Sequence, residues 1–346
     1  MEIKMNRKRK KYPINQCLLY KCQSKRKLEK ALVIKTGDLK LIDDAIRYHA
    51  FDIEKKETAE KRHIEAPAFT LKLIQARILQ LIQCIERPDW LISGQRGKSY
   101  ISNGEMHKDG NYCLTVDIKK FYDSCRREYV FRFFKDKMKT SSDVAAILTK
   151  IVTYKNGIPT GCPTSQLIAY YAYEDMFNEI KTTAELCGCK FTLYVDDMTF
   201  SSINPFDEKY LRREVDRILR RYGHKPKYKK VHYYSKSDNK PITGTILKPD
   251  HRLEIPNKLQ KSIYDGFQEV KNTDPTNVDL DQLKRIRTLR GRIIAANTIQ
   301  SDRFIQMSCF IAKIPLEQIQ PQKSCNQVKP RKIRIRGSKK QETIKT

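Results

Sequence analysis

The chain has 346 residues, 39% of them apolar, enough for a substantial core shared among two or three subdomains. Lysine and arginine total 69 against 40 acids, a formal net charge of +29, which calls for a polyanion partner, either nucleic acid or an anionic membrane surface. No apolar run approaches the roughly 18 residues a membrane span needs, and the basic stretch Met1 to Lys11 has no apolar region behind it, so neither a span nor a secretory signal is expected and a soluble nucleic-acid binder is favoured. Ten cysteines are scattered without metal-ligand spacing, as buried thiols in a reducing cytosol would be.

Residues 1–30 carry a dense basic load, including Arg7 to Lys11 and Lys25 to Lys27, and read as a solvated or partly disordered arm able to follow an RNA backbone. A short amphipathic helix is expected from Leu39 to Tyr48. Next, Phe51 to Lys56 and Lys61 to Pro67 read as a two-stranded ribbon with a basic tip. Leu71, Ile74, Ile78, Leu81, Ile82 and Ile85 share one stripe, predicting a helix from Leu71 to Glu86. Trp90 to His107 reads as loop-rich. Its Ser93-Gly94-Gln95-Arg96-Gly97-Lys98-Ser99 is no phosphate-wrapping P-loop, because the first glycine lies only three residues before the second.

Tyr112 to Ile118 is a nearly continuous apolar run carrying one acid, Asp117, and reads as a buried central strand. A buried carboxylate needs a cation, a donor network or a place at the strand's end; a salt bridge to a nearby lysine would also serve. A helix is expected from Arg126 to Phe134. Gly157-Ile158-Pro159-Thr160-Gly161-Cys162-Pro163-Thr164-Ser165 must be a rigid loop, with Thr164 or Ser165 capping a helix from Gln166 to Glu179. The small residues Ala169 and Ala172 on that helix would let a flat ligand, such as a base pair, lie close to backbone.

Phe191, Leu193 and Val195 alternate with polar partners, and after Asp196-Asp197 the alternation resumes at Met198 and Phe200. Two short strands with the double aspartate at or beside their turn follow. Adjacent carboxylates repel and raise each other's pKa unless a cation lies between them, although a plain Asp-Asp turn would satisfy the same residues. Beyond lie an amphipathic helix, Leu211 to Tyr222, a lysine cluster ending at Lys230, the strand-like Val231 to Tyr234 and Pro241 to Leu247, and a boundary near residue 255. The remainder to about residue 315 reads as helical, including Gln282 to Asn297, and Pro321 to Lys340 is a second basic tail.

Taken together, Asp117, the loop Gly157 to Ser165 and Tyr194-Val195-Asp196-Asp197 resemble the palm motifs of a reverse transcriptase. Thr115 to Tyr122, Asn103-Gly104-Glu105-Met106-His107, Ile242-Thr243-Gly244 and Leu289-Arg290-Gly291-Arg292-Ile293 narrow the resemblance to the bacterial retron reverse transcriptases, over about residues 45–300. Glycine stands at position 104 where that family has alanine, Thr160 where many members have glutamine, and Val195 where alanine is usual.

The resemblance implies an α+β right-hand polymerase fold: fingers and palm with an antiparallel sheet plus helices in 31–250, a small helical thumb in 251–320, and basic termini at 1–30 and 321–346. It implies an RNA-directed DNA polymerase in which Asp117, Asp196 and Asp197, with the Ile118 carbonyl, bind two Mg²⁺ ions, Mn²⁺ being a substitute. Lys230 would protonate or neutralise the pyrophosphate leaving group. Lys56 (or Lys55, according to the ribbon's register), Arg62, Tyr122, Thr160 and Gly161 would bind the dNTP, Tyr122 as the gate against a ribose 2′-hydroxyl. Asn103, His107, Tyr194, Thr243, Gly244 and Arg290 would contact RNA or primer.

By the same resemblance the partners are a cognate structured noncoding RNA, the RNA–DNA hybrid copied from it as multicopy single-stranded DNA, primed from an RNA 2′-hydroxyl, and an effector protein encoded nearby, acting against phage in the bacterial cytoplasm. Alternatives are another bacterial reverse transcriptase, of group II intron, diversity-generating or abortive-infection type, or a non-catalytic RNA-binding protein on the same fold.

Overall fold

The computed structural model describes residues 11–54, 61–273 and 278–314. The expected ribbon forms: β1 (Tyr48–Glu54) pairs antiparallel with β2 (Lys61–Pro67). Its tip, with Lys55 and Lys56, lies outside the described residues. The central strand β3 (Tyr112–Asp117) pairs antiparallel with β5 (Asp197–Ser202), which turns back on β4 (Lys190–Tyr194), and β6 (His232–Tyr234) closes the other edge, giving the order β4-β5-β3-β6. A smaller meander, β7 (Lys240–Ile242), β8 (Thr245–Leu247) and β9 (Leu253–Glu254), leads into the helical part.

Alternation fixes what faces inward. Leu114 and Val116 of β3, Phe191 and Leu193 of β4, and Met198 and Phe200 of β5 are buried in one core with Leu211, Val215, Ile218 and Leu219 of the helix Glu208–Arg221. The helices Asn257–Val270, Leu280–Ile299 and Ile305–Ala312 have a core of their own, built on Ile263, Val270, Ile286, Leu289 and Ile293. Asp279 and Gln282 cap the second of these reciprocally, so its start is fixed by side chains. Among the described residues no helix is long and apolar enough to cross a membrane.

Several elements differ from the sequence reading. From Tyr12 onward the expected arm is packed: the Tyr12 hydroxyl donates to the Leu81 carbonyl at 2.9 Å, and Leu19 and Leu28 are fully buried. Residues 1–10 and 315–346, with the rest of the arm and the whole tail, lie outside the described residues. The helix expected at Leu39 to Tyr48 is a 3₁₀ turn, Asp38–Leu41, and one α-turn, Ile42–Ala45, because Tyr48 already belongs to β1. The next helix runs Phe69–Ile82, four residues short of Glu86.

The helix expected from Arg126 to Phe134 is α-helical over Arg127–Arg132 and widens to a π-turn at Phe133–Lys137. The stretch read as loop-rich contains the helix Tyr100–Met106, with Ser99 and Ser102 in a reciprocal cap. The helix expected from Gln166 to Glu179 is two, Ser165–Ala172 and Glu174–Leu186. Tyr173 marks the break. It is fully buried, and its hydroxyl accepts the Arg126 N–H at 2.8 Å, a partner that sequence periodicity does not reveal.

Candidate active site

Asp117 ends β3 and Asp197 begins β5, and the two stand opposite each other as the last pair of the ladder. Asp196 lies in the turn just before, its carbonyl accepting the Ile118 N–H at 3.0 Å. The antiparallel pairing thus brings residues 80 positions apart in the chain onto one rim, because both strands end there. The turn itself is tight: Val195 takes a left-handed conformation with φ 62°, a region a β-branched residue rarely adopts.

Burial pushes the Asp196 carboxyl up to about 6, with the neighbouring charge of Asp117 adding to the rise. Asp197 is raised for the same reasons, by burial first and then by Asp196 and Asp117. Lys230 Nζ donates to Asp117 Oδ2 at 2.6 Å. Burial disfavours the ammonium, but that hydrogen bond and the surrounding carboxylates outweigh it and raise the lysine's pKa. The lysine partner weighed for Asp117 is thus present, yet one ammonium faces three carboxylates, and the excess negative charge fits a cation.

Among the described residues no three His, Cys, Asp or Glu side chains form a group that could hold a metal ion by themselves. The donors fit a hard divalent ion that brings water or phosphate for the rest of its coordination. The Ile118 carbonyl belongs to the residue directly after Asp117. The flanking bonds run from the Lys227 N–H to Asp117 at 2.7 Å and from the Lys119 N–H to Lys225 at 2.9 Å, and neither uses it.

The ribbon reaches this rim. Arg62 is near enough to lower the pKa of both Asp196 and Tyr122 through its charge. Tyr122 is mostly buried against Phe121, with ring centroids 5.6 Å apart, and feels the charge of Asp196. The loop joins them: the Thr160 carbonyl accepts the Glu65 N–H at 2.8 Å. Gly161, at φ 114°, lies so close to β2 that a Cβ there would stand 3.1 Å from Ile64 Cγ2. On the other side, Asp117, Asp197, Lys230, Thr243 and Gly244 line a cleft of about 240 Å³.

Two residues expected to contact RNA or primer do not reach a surface. Asn103 and His107 are fully buried. Asn103 Nδ2 donates to Thr243 Oγ1 at 2.9 Å, while the two ring nitrogens of His107 bridge Ser201 Oγ at 2.6 Å and Thr192 Oγ1 at 2.7 Å. The glycine at 104 is explained by the same packing, since a Cβ there would stand 2.6 Å from Thr245 Oγ1. Thr243 and Tyr194 are half-buried, Gly244 and Arg290 exposed. A residue not singled out by sequence is Ser93, whose Oγ accepts the Val195 N–H at 2.9 Å.

An antiparallel sheet presenting clustered carboxylates at one end, with a ribbon arginine and a glycine loop beside it, defines the palm and fingers of a nucleotide polymerase. Residues 53–261 match the family described as reverse transcriptase (RNA-dependent DNA polymerase), and the chain belongs to it. It is 31% identical over 163 residues to the retron Se72 reverse transcriptase of Salmonella heidelberg, covering 46% of this chain and 42% of that protein. To the retron Ec86 reverse transcriptase of Escherichia coli it is 28% identical over 158 residues, 45% of this chain and 49% of that one. To the Ec83 enzyme of Escherichia coli it is 25% identical over 254 residues, 69% and 81%. The chain therefore spans about half the length of the first two relatives.

Proposed function

We propose that the protein is a retron-type RNA-directed DNA polymerase that copies part of a structured noncoding RNA into multicopy single-stranded DNA. The observation that carries this is the convergence of Asp117, Asp196 and Asp197 on one strand end within electrostatic reach of Arg62 and Tyr122. A primer hydroxyl attacks the dNTP α-phosphate, a new P–O bond forms, the bridge to the β-phosphate breaks, and pyrophosphate leaves. Bound at this site, two Mg²⁺ ions, with Mn²⁺ as a substitute, supply charge neutralisation at the reacting phosphate and a lower pKa for the attacking hydroxyl.

In this reading Asp117, Asp196, Asp197 and the Ile118 carbonyl hold those ions. Arg62, together with Lys56, draws the triphosphate against the loop at Thr160 and Gly161. Tyr122 presents its ring to the sugar and excludes a 2′-hydroxyl. Lys230 holds a proton at Nζ for the departing pyrophosphate. Tyr194, Thr243, Gly244 and Arg290 face the primer–template duplex, and the excess basic charge grips its phosphates. Priming from an RNA 2′-hydroxyl, an effector protein, anti-phage action and a cytoplasmic setting belong to the same reading and rest on the likeness to retron enzymes.

The test is to purify the protein from cells carrying its neighbouring DNA, then treat the co-purifying nucleic acid with RNase, DNase and a 2′–5′ debranching enzyme. A short DNA whose mobility shifts on debranching, absent from Asp196→Ala, supports the retron reading. RNA alone refutes it, and template-primed synthesis without a branch assigns the protein to another kind of reverse transcriptase.

A further inference from the structure

We infer that Ser93 is a positioning residue for the carboxylate pair: by accepting the Val195 N–H it holds the left-handed turn from which Asp196 and Asp197 are presented. The inference rests on the polymerase reading above, and the geometry it uses is independent of it. Val195 is β-branched and lies at φ 62°, a conformation that persists only where surrounding structure holds it. Ser93 supplies such a hold through a 2.9 Å bond, from a side chain only 4% exposed.

Ser93 is itself fixed on both sides. The segment before it runs parallel to β4, with the Leu193 N–H donating to the Trp90 carbonyl and the Ile92 N–H to the Leu193 carbonyl, each at 2.9 Å. Gln95 Nε2 ties the loop after it back to the carbonyls of Leu91 at 2.6 Å and Pro88 at 2.9 Å. Gly94, between them, takes φ 67° and packs so that a Cβ would stand 3.0 Å from Leu167 Cδ2. A short braced segment therefore delivers one hydroxyl to the amide that precedes the catalytic carboxylates. Removing it takes away one of the holds on the tight turn between β4 and β5, and any shift of that turn moves Asp196 relative to Asp117.

The experiment compares the full-length protein with Ser93→Ala and Ser93→Thr by three readouts: amide hydrogen exchange of the peptide covering 191–198, Mn²⁺ binding by electron paramagnetic resonance without nucleotide, and steady-state dNTP incorporation. In Ser93→Ala, exchange at Val195 accelerates, Mn²⁺ binds about tenfold more weakly, and kcat falls about tenfold with the KM for template–primer unchanged, as expected for one lost hydrogen bond at a reacting centre. Ser93→Thr, which keeps the hydroxyl, restores all three. Should Ser93→Ala lose its helical circular dichroism, Ser93→Cys, with a weaker acceptor of similar size, takes its place. Wild-type protection and Mn²⁺ affinity in the variant overturn the inference. A wild type that binds Mn²⁺ but incorporates no dNTP refutes the polymerase reading, while exchange and Mn²⁺ binding still decide the role of Ser93.

Discussion

Lowering the pH below 6.5 in the absence of metal should loosen the palm through His107. The imidazole is completely enclosed, and burial, with a smaller contribution from the charge of Lys190, pushes its pKa down to about 3. The folded-state value lies below the unfolded one of about 6.5, so the stabilisation is fully present above pH 6.5 and is lost progressively as the pH falls from there toward 3. Each unit in that window costs up to about 1.4 kcal/mol, hence about 2 kcal/mol by pH 5. Two hydroxyls, of Ser201 and Thr192, can both accept from an imidazolium, so the penalty comes from desolvating the charge rather than from a mismatched hydrogen bond. His224, also buried and pushed down to about 4, has the same sign, whereas the raised carboxyls Asp196 and Asp197 have the opposite one. A difference between variants is therefore needed. The single tryptophan, Trp90, stands 5.4 Å from Phe191 of β4 and reports this region. Urea unfolding followed by its fluorescence, from pH 7.5 to 5, in wild type and His107→Gln, gives the test. The wild type should lose about 2 kcal/mol more than the variant over that range. A wild-type-minus-variant difference that does not change with pH would show that His107 is not held neutral by burial, and the reasoning would fail.

Asp197→Asn should abolish incorporation, by at least about a thousandfold, while raising the thermal midpoint in metal-free buffer, because it removes one of three mutually repelling carboxylates; a lowered midpoint in EDTA would contradict the charge argument. Tyr122→Ala should leave dNTP use within about tenfold of wild type but cut the preference for dNTP over rNTP by about tenfold or more, read from the ratio of kcat/KM values. Gly161→Ala should raise the KM for dNTP and lower stability by about 1–2 kcal/mol, since φ 114° and Ile64 Cγ2 both oppose a Cβ. Affinity for RNA should fall steeply and linearly on a log–log salt plot, at about 0.7–0.9 per phosphate contact; a flat response would show that the positive charge is not what holds the nucleic acid.

The hairpin and central strand were legible because their signals are local. Period-two alternation on either side of Asp196-Asp197 and the apolar run before Asp117 each report burial on the element that carries them, and the ladder pairing follows from both ending at the same rim. The ribbon and the helix Leu280–Ile299 were legible for the same reason. What was hidden depends on partners far away in the chain. The helix Tyr100–Met106 has little apolar pattern of its own; its inward face is Asn103 and Gly104, fitted to Thr243 and Thr245 some 140 residues on. The break at Tyr173 is likewise invisible without Arg126, Phe121 and His224 packed around it. Asn103 and His107 were recognisable as a motif, but a motif does not say whether its polar groups face a ligand or a core.

Their burial relocates the contribution of the segment between the ribbon and β3. Three of its side chains brace three different parts of the palm: Ser93 holds the turn before Asp196, His107 ties β4 to β5 toward the end of the hairpin away from that turn, and Asn103 fixes Thr243. Thr243 and Gly244 both take left-handed conformations, φ 38° and 87°, so the loop beside the cleft also needs an external hold. Each hold is a hydrogen bond from a buried side chain, strong in a low-dielectric setting and costly to leave unmade. Nucleotide addition requires carboxylates placed to a fraction of an ångström, and hairpin strands of five and six residues joined by a strained turn could not supply that alone. Side chains buried away from the surface can therefore constrain the placement of the carboxylates as tightly as residues on the rim itself.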